Sequence, residues 1–396
     1  MPPSASVGTA PRVIYLVTED WYFMSHRLPM ARAARAAGFE VHVATRVDRH
    51  GRAIEGEGFQ LHPISWRRGS LDPRDLLRVV REVRQLYRRV TPDLAHHVAL
   101  PATIVGTLAA TGLSTACINA MTGLGTIFIS NSMKVRLARA AVRPALRRLL
   151  SRARSAVIVQ NSDDRAVLEK LGVDPARITL IPGSGVDTDA MMPSPEPDGP
   201  ITVAFVGRLV EAKGIGALLE AHSRLTRAGR DIRLVIAGVP DPANPGSISV
   251  GELEAWRQRP NVFCLGFVDD IAALWRSVHI AALPSHREGL PLSLLQAAAC
   301  GRPLVATDVP GCREVARHEV NALVVPLGDV DGLARAIDRL ALDPDLRRRL
   351  ADAGRRLVER DFSAKRIGGE LVSLYRSLLE RGCATDHCEE QFAQAK

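Results

Sequence analysis

The stretch ITVAFVGRLVEAKGIGALLEAHSRLTRAG, residues 201–229, decides the fold. It opens on a continuous apolar, β-branched run ending at Gly207 and closes on apolar residues at helical spacing ending at Gly229. An uninterrupted apolar strand leading into an amphipathic helix predicts a parallel strand covered on both faces. Between the two, GRLVEAKG (207–214) sets Arg208 and Lys213 in a glycine-bounded turn at the strand's carboxyl end. Open α/β sheets bind ligands just beyond that end. A planar arginine fork and a lysine point charge converging there suit phosphoryl oxygens.

The same alternation runs outward in both directions. Strands are predicted at 13–18, 40–45, 93–97, 114–119 and 155–160, and again at 201–207, 232–238, 261–267, 279–284, 303–308 and 321–326. Helical segments lie between them, including 26–38, 76–90, 215–229 and 333–343. This predicts an α/β protein of two doubly wound, Rossmann-like domains facing across a cleft. MMPSPEPDGP (191–200), with four prolines in ten residues, reads as the break between them. The expected division is 1–192, a linker at 193–200, a second domain at 201–362, a helix at 363–382 packing back on the first domain, and a polar tail at 383–396.

A second motif lies downstream, SHREGLPLSLLQAAACGRPLVATDVPG (285–311). A strand ends at Pro284, a loop carries Glu288, and a helix opens near Leu290–Ser293. Backbone N–H groups at Gly289 and Leu290 pointing out of a helix start make an anion site. Gln296, eight residues after Glu288, shares that helix and can reach the same ligand. A carboxylate favoured by the helix dipole would account for Glu288 alone, but not for the strand–acid–glycine–helix–glycine–strand order.

Composition narrows the classes. With 46% hydrophobic and 24% charged residues the chain can bury full cores, which excludes wholesale disorder. Mean hydropathy is +0.02, too low for a polytopic membrane protein. Val98 to Met133 carries no formal charge, yet Pro101, Asn119 and several Thr and Gly interrupt it, so it reads as core helix, strand and loop. MPPSASVGTA has no basic-then-apolar leader, and six scattered cysteines form no paired framework, so a cytoplasmic location is expected. Cys383, His387 and Cys388 read as incidental rather than as a metal site. Of the +9 formal charge, residues 1–190 hold +10 and the remainder −1. Eight basic residues and no acid fall between Lys134 and Arg154. Interleaved with Leu, Val and Ala, they make a cationic amphipathic surface, read either as an ordinary solvated helix face or as one suited to an anionic membrane face or a polyanionic substrate. Nucleic acid is disfavoured, because aromatic residues are only 4% of the chain.

Seven motifs in order carry a family resemblance: DWYFMSHRLPMARA (20–33), DLAHHVALPA (93–102), TGLG (122–125), VQNSDD (159–164), GSGVD (183–187), GRLVEAKG and REGLPLSLLQAAACGRPLVATDVPGCRE (287–314). The chain resembles the GT-B-fold glycosyltransferases of family 4, a retaining, nucleotide-sugar-dependent class. It is most similar to the branch adding N-acetylhexosamine to undecaprenyl-diphosphate-linked glycans. The resemblance implies that Arg208 and Lys213 grip the donor diphosphate, that Glu288 meets the donor sugar, and that Gly289 and Leu290 hold sugar and phosphate through the backbone. The family's second acid, which takes the ribose hydroxyls, falls on Gln296. That substitution keeps a hydrogen bond but loses a charge-assisted one, a difference of about 1–2 kcal/mol. The resemblance also sets His96 or His97 near acceptor and donor sugar, the alternative for either being a core histidine. Ser25, His26 and Arg27 stand where the first strand's loop could meet an acceptor diphosphate.

The implied reaction takes a sugar from a UDP-sugar to a lipid-linked glycan in cell-surface polysaccharide synthesis. It needs no cofactor and no metal, the chain having no DxD-like pair in a suitable loop. The enzyme would sit on the inner face of the plasma membrane, touching it through 134–154. Two rivals stand beside it: a degenerate GT-B binding or assembly subunit, suggested by Gln296, and another UDP-sugar enzyme such as an epimerase or phosphorylase. A nicotinamide oxidoreductase would need GxGxxG after the first strand, where the chain reads EDWYFMSHR.

Overall fold

The computed structural model describes residues 10–68, 72–122 and 144–394, with side chains as far as Arg381. Residues 123–125 of TGLG, positions 134–143 of the basic stretch, and the side chains of Cys383, His387 and Cys388 in the tail lie outside what is described.

The chain folds into two compact units, one built from Met1–Ser184 and Ile367–Lys396, the other from Gly185–Arg366. In the first, seven strands run β1 (Arg12–Glu19), β2 (Glu40–Arg46), β3 (Gln60–Pro63), β4 (Leu94–Val98), β5 (Ala116–Met121), β6 (Ser155–Val159) and β7 (Ile178–Leu180). They form one parallel sheet in the order β3-β2-β1-β4-β5-β6-β7. The second unit holds β8 (Ile201–Val206), β9 (Ile232–Ala237), β10 (Val262–Gly266), β11 (Ile280–Leu283), β12 (Leu304–Thr307) and β13 (Ala322–Val325). Its order, β10-β9-β8-β11-β12-β13, is also all parallel. Both are doubly wound sheets of the expected Rossmann-like kind. Central strands are buried along nearly their whole length, as β4, β5, β6, β11 and β12 show, because helices cover both faces.

Each predicted strand has its counterpart. β3 and β7 were not foreseen; QLHP and ITL are too short to stand out as apolar runs. The helix expected over 26–38 is Leu28–Ala36, and a short helix that was not foreseen, Asp20–His26, precedes it, the two separated at Arg27. Pro29 is the cause: its ring cannot continue a helix from Ser25 but fits the first turn of a new one.

The division between units falls at Ser184/Gly185 and Arg366/Ile367, not at the proline-rich stretch. Residues 191–200 have no regular structure yet are fastened into the second unit. Buried Arg302 donates to the carbonyls of Ser194 (2.8 Å) and Pro195 (3.2 Å), and Arg347 pairs with Glu196 at 2.8 Å. The last helix, Ala364–Gln394, belongs mostly to the first unit, where Ile367, Leu371, Val372, Tyr375 and Leu378 complete a core cluster with Val13, Tyr15 and Phe39.

Candidate functional site

The second unit's strand order reverses between β8 and β11, and the loops leaving these two neighbours are the two motifs singled out in the sequence. That reversal is where an open sheet leaves a crevice. One glycine brings these two loops together, and a second packs the loop after β12 on the β11 loop. Gly214 has φ +72°, and a Cβ there would collide with the Pro284 carbonyl. Gly311, at φ +80°, lies against the carbonyls of Glu288 and Gly289 and likewise leaves no room for a Cβ. His286 N–H also donates to Ala212 O at 2.9 Å.

Lys213 and Glu288 meet as a result. Lys213 Nζ lies 2.6 Å from Glu288 Oε1, and Ser285 Oγ donates to the same oxygen at 2.6 Å. Their side chains are only 19% and 10% exposed, so the pair is largely desolvated and its geometry well fixed. Nearby Cys312 is buried, which pushes its thiol pKa up, and the Glu288 charge pushes the same way; it is a neutral neighbour. Gly289 and Leu290 are half-buried ahead of the helix Leu292–Ala299, which opens at Pro291 with no side-chain cap. The Leu294 and Leu295 N–H groups of its first turn donate to Pro291 O at 3.2 and 3.3 Å. Gln296 is half-buried on that helix.

Arg208 is held differently from the expectation of a pair converging on one ligand. Its Nη1 donates to Asp241 Oδ2 at 2.7 Å, and Asp241 is a buried carboxylate just beyond β9. Asp241 and Ser285 are the two residues that the sequence reading missed. Asp241 follows the carboxyl end of a strand next to β8, and that position was the available signal.

In the first unit the corresponding reversal lies between β1 and β4. His96 and His97 are adjacent on β4 and both fully buried, so neither ring faces solvent. His97 matches the core-histidine alternative: Nδ1 is 2.8 Å from Asn119 Oδ1 and Nε2 3.0 Å from the Tyr87 hydroxyl. Burial lowers its pKa to about 4, opposed by the Asn119 hydrogen bond and aided by Arg152. His96 turns to the other sheet face. Its Nδ1 is 2.6 Å from the Tyr375 hydroxyl, which donates to Tyr15, and its ring stacks on Tyr15 with centroids 4.9 Å apart. Its pKa is lowered well below the usual histidine value by burial, then by Arg27 and His97.

Ser25 and His26 sit at the end of a short helix; the Ser25 hydroxyl donates to Trp21 O at 2.8 Å and lies 2.6 Å from His26 Nδ1. Ser25 is exposed, His26 half-buried and Arg27 fully buried, so the three do not present one surface. Just before them Asp20 is held ionised. Burial opposes this, but backbone N–H groups of His50, Asp48 and Trp21 outweigh it and lower its pKa. Among the described residues, no group of three His, Cys, Asp or Glu is placed to hold a metal ion. No helix among them is long and apolar enough to cross a membrane.

Comparison with known proteins agrees with this layout. Residues 12–161 match the family model described as "Glycosyl transferase 4-like", and residues 187–357 match "Glycosyl transferases group 1". The capsular polysaccharide biosynthesis glycosyltransferase CapM of Staphylococcus aureus is 29% identical over 45% of this chain and 46% of its own. The chain thus spans about half the length of that relative. The N,N'-diacetylbacillosaminyl-diphospho-undecaprenol alpha-1,3-N-acetylgalactosaminyltransferase of Campylobacter jejuni is 25% identical over 83% of this chain and 91% of its own. Among solved structures, sucrose-phosphate synthase of Thermosynechococcus elongatus superposes with a TM-score of 0.78 at 22% identity, covering 93% of this chain and 99% of the other. Anabaena HepE in complex with UDP-glucose gives 0.75 at 17% identity, covering 92% and 99%. These likenesses establish the GT-B α/β fold.

Proposed function

We propose that this chain, a GT-B glycosyltransferase by the family models that its two units match, moves an N-acetylhexosamine from a UDP-sugar to a polyprenyl-diphosphate-linked glycan with retention at the anomeric carbon. The observation that carries the reading is the Lys213–Glu288–Ser285 contact beside an uncapped helix start at the β8/β11 reversal. Departure of a nucleoside diphosphate from an oxocarbenium-like centre develops negative charge on the leaving group. Preorganised cations and backbone N–H groups aimed at that charge are a large source of rate enhancement. Lys213 and Arg208 supply the cations, and the N–H groups at Gly289 and Leu290 the dipoles. Glu288, freed as Lys213 turns to phosphate, accepts from a donor-sugar hydroxyl. Gln296 takes the ribose. No protein nucleophile is assigned; the acceptor hydroxyl attacks on the face the diphosphate leaves, the new C–O bond forming as the anomeric C–O bond to the diphosphate breaks and the hydroxyl proton passes to the departing diphosphate oxygen.

The donor and acceptor classes draw on relatives. A related enzyme is named for N-acetylgalactosaminyl transfer to a diphospho-undecaprenol glycan, and a structural neighbour was captured with UDP-glucose. Such an acceptor stays in the membrane, so the enzyme works against the inner face of the plasma membrane. The basic stretch is the docking element, of which Arg147 and Arg148 are exposed among the described residues.

A screen of UDP- and GDP-sugars with a polyprenyl-diphosphate-sugar acceptor, read by product mass, tests the reading. Lys213→Ala is expected to cut transfer by about 100-fold or more with circular dichroism unchanged, since losing one donor to a developing oxyanion costs roughly 3–4 kcal/mol. Turnover near wild type would refute it. Gln296 favours a second reading, a binding subunit without turnover. Saturable UDP binding with no product from any acceptor would select that alternative.

A further inference from the structure

Asp241 stands between Pro240 and Pro242 in the loop 238–249, which joins β9 to the helix Val250–Arg257. Proline fixes its own φ and confines the residue before it to extended conformations, so the backbone at Asp241 has little freedom. Pro245 stiffens the same loop. Within it, the Asn244 N–H donates to Asp241 O at 2.8 Å and the Gly246 N–H to Asn244 Oδ1 at 3.0 Å. The loop is also fastened to the one that carries Arg208. Leu209 N–H donates to Val239 O at 2.9 Å, Glu211 N–H to Gly246 O at 2.8 Å, and Ile248 N–H to Leu209 O at 3.0 Å. A Cβ at Gly238 would strike the Gly207 carbonyl, so the two loops start as close together as backbone permits.

On this rigid support the carboxylate is buried and the guanidinium is not. The Asp241 side chain is 6% exposed and that of Arg208 44%. Their bond, Arg208 Nη1 to Asp241 Oδ2 at 2.7 Å, uses one of the five N–H donors of the fork. Lys213 and Glu288 repeat the arrangement, a cation at 19% exposed on a carboxylate at 10%. The two carboxylates differ in place. Glu288 shares its loop with Gly289 and Leu290 after β11, whereas Asp241 follows β9, on the other side of β8. A carboxylate this buried keeps its charge only through its partners. An arginine already held in place need not be ordered at the moment when charge develops on a leaving group.

We propose that Asp241 is a positioning residue. It anchors Arg208 by Nη1, keeps the remaining N–H groups of the fork turned toward the leaving diphosphate, and touches no substrate itself. The identity of that ligand rests on the transferase reading above; the anchoring rests on the contacts of Asp241 and its loop.

A double-mutant cycle tests this. Transfer rates, calorimetric UDP affinity and melting temperature are measured for wild type, Asp241→Asn, Asp241→Ala, Arg208→Met and Asp241→Ala/Arg208→Met. Asp241→Ala is expected to lower kcat/KM by about tenfold or more, as a displaced positioning group does. Asp241→Asn still accepts the Arg208 N–H and is expected to stay within about threefold of wild type. Starting from Arg208→Met, the further change Asp241→Ala is expected to cost less than about twofold, since no fork is left to hold. Asp241→Ser, read the same way, replaces the alanine variant if that one does not fold. Full activity of Asp241→Ala, an asparagine variant as poor as the alanine one, or equal losses with and without Arg208 overturns the proposal; the last would make Asp241 a residue of the fold alone. If wild type binds UDP but transfers to no acceptor, the transferase reading fails and the same cycle is read on UDP affinity. Asp241→Ala must then alter that affinity by about twofold or more only where Arg208 is present, and a change that is absent or independent of Arg208 overturns the proposal. Wild type that binds no UDP overturns both.

Discussion

Gln296 is where this chain departs from the pattern of the family it resembles, and its consequence can be weighed. A carboxylate accepts two ribose hydroxyl hydrogen bonds with charge assistance; an amide accepts one or two weakly and donates another. The difference of about 1–2 kcal/mol corresponds to roughly a 5–30-fold change in affinity. Gln296→Glu is therefore expected to tighten UDP binding by about that factor with little change in kcat, measured by calorimetry and initial rates. No change in affinity would remove Gln296 from the ribose. Much of the second unit's site was legible at this scale, because motif position fixes which loop carries Lys213 and Glu288. Their mutual ion pair was not, since both were read as facing ligand. The Arg208–Asp241 pair was not foreseen either, because its carboxylate lies beyond the end of a third strand, β9, in a loop that carries no motif. Arg27 was expected, with Ser25 and His26, to meet an acceptor diphosphate; it is instead fully buried.

At the scale of elements, β4 explains why the sequence left His96 and His97 undecided. Successive strand residues point to opposite faces, and a sheet covered on both sides buries both. His96 meets the last helix through Tyr375, and His97 meets the helix Pro73–Val90 through Tyr87. Gly106 leaves room for the His97 ring; a Cβ there would strike it. On β2 and β3 a second pair is joined, His42 Nδ1 to His62 Nε2 at 2.9 Å, with His62 lowered to about 4 by burial, then by His42 and Arg89. Unfolded histidines titrate near 6.5. Between pH 6.5 and 4 the folded state thus binds fewer protons than the unfolded one. Stability is fully present above the unfolded value and is lost as pH falls toward the folded value. His97, with about 4 against 6.5, accounts for roughly 3 kcal/mol at the lower limit. Urea midpoints are expected to fall steeply from pH 6.5 to 4.5, and His97→Gln to flatten that slope. A flat wild-type profile would mean that these rings are not buried in their neutral form.

For the whole molecule, alternating strands and helices announce two doubly wound units from composition and spacing alone, since a parallel sheet buried on both faces leaves an uninterrupted apolar run for each strand. What spacing does not encode is where the chain changes unit. The prolines at 193–200 look like a hinge, yet the change occurs at Ser184/Gly185, and the return at Arg366/Ile367 lies inside one continuous helix. The first unit is thus closed by residues nearly two hundred positions beyond its main segment. Ile367, Leu371, Val372, Tyr375 and Leu378 each lie in its core cluster, and burying a side chain of this size is worth about 1.5–3 kcal/mol. Five together reach the order of a domain's whole stability, about 5–15 kcal/mol. Tyr375 also satisfies His96 Nδ1 and Tyr15, which removal would leave as buried polar groups without partners. Ending the chain after Arg366 is therefore expected to unfold the first unit selectively. The second keeps its own cluster, centred on Phe205, Leu218 and Val305, and its Lys213–Glu288 pair. Hydrogen exchange with peptide resolution checks this: amides of β1, β4 and β5 should lose protection while those of β8, β11 and β12 keep it. If protection in β1 and β4 survives the truncation, the last helix is a dispensable cover, and the first unit's core is closed by its own 184 residues.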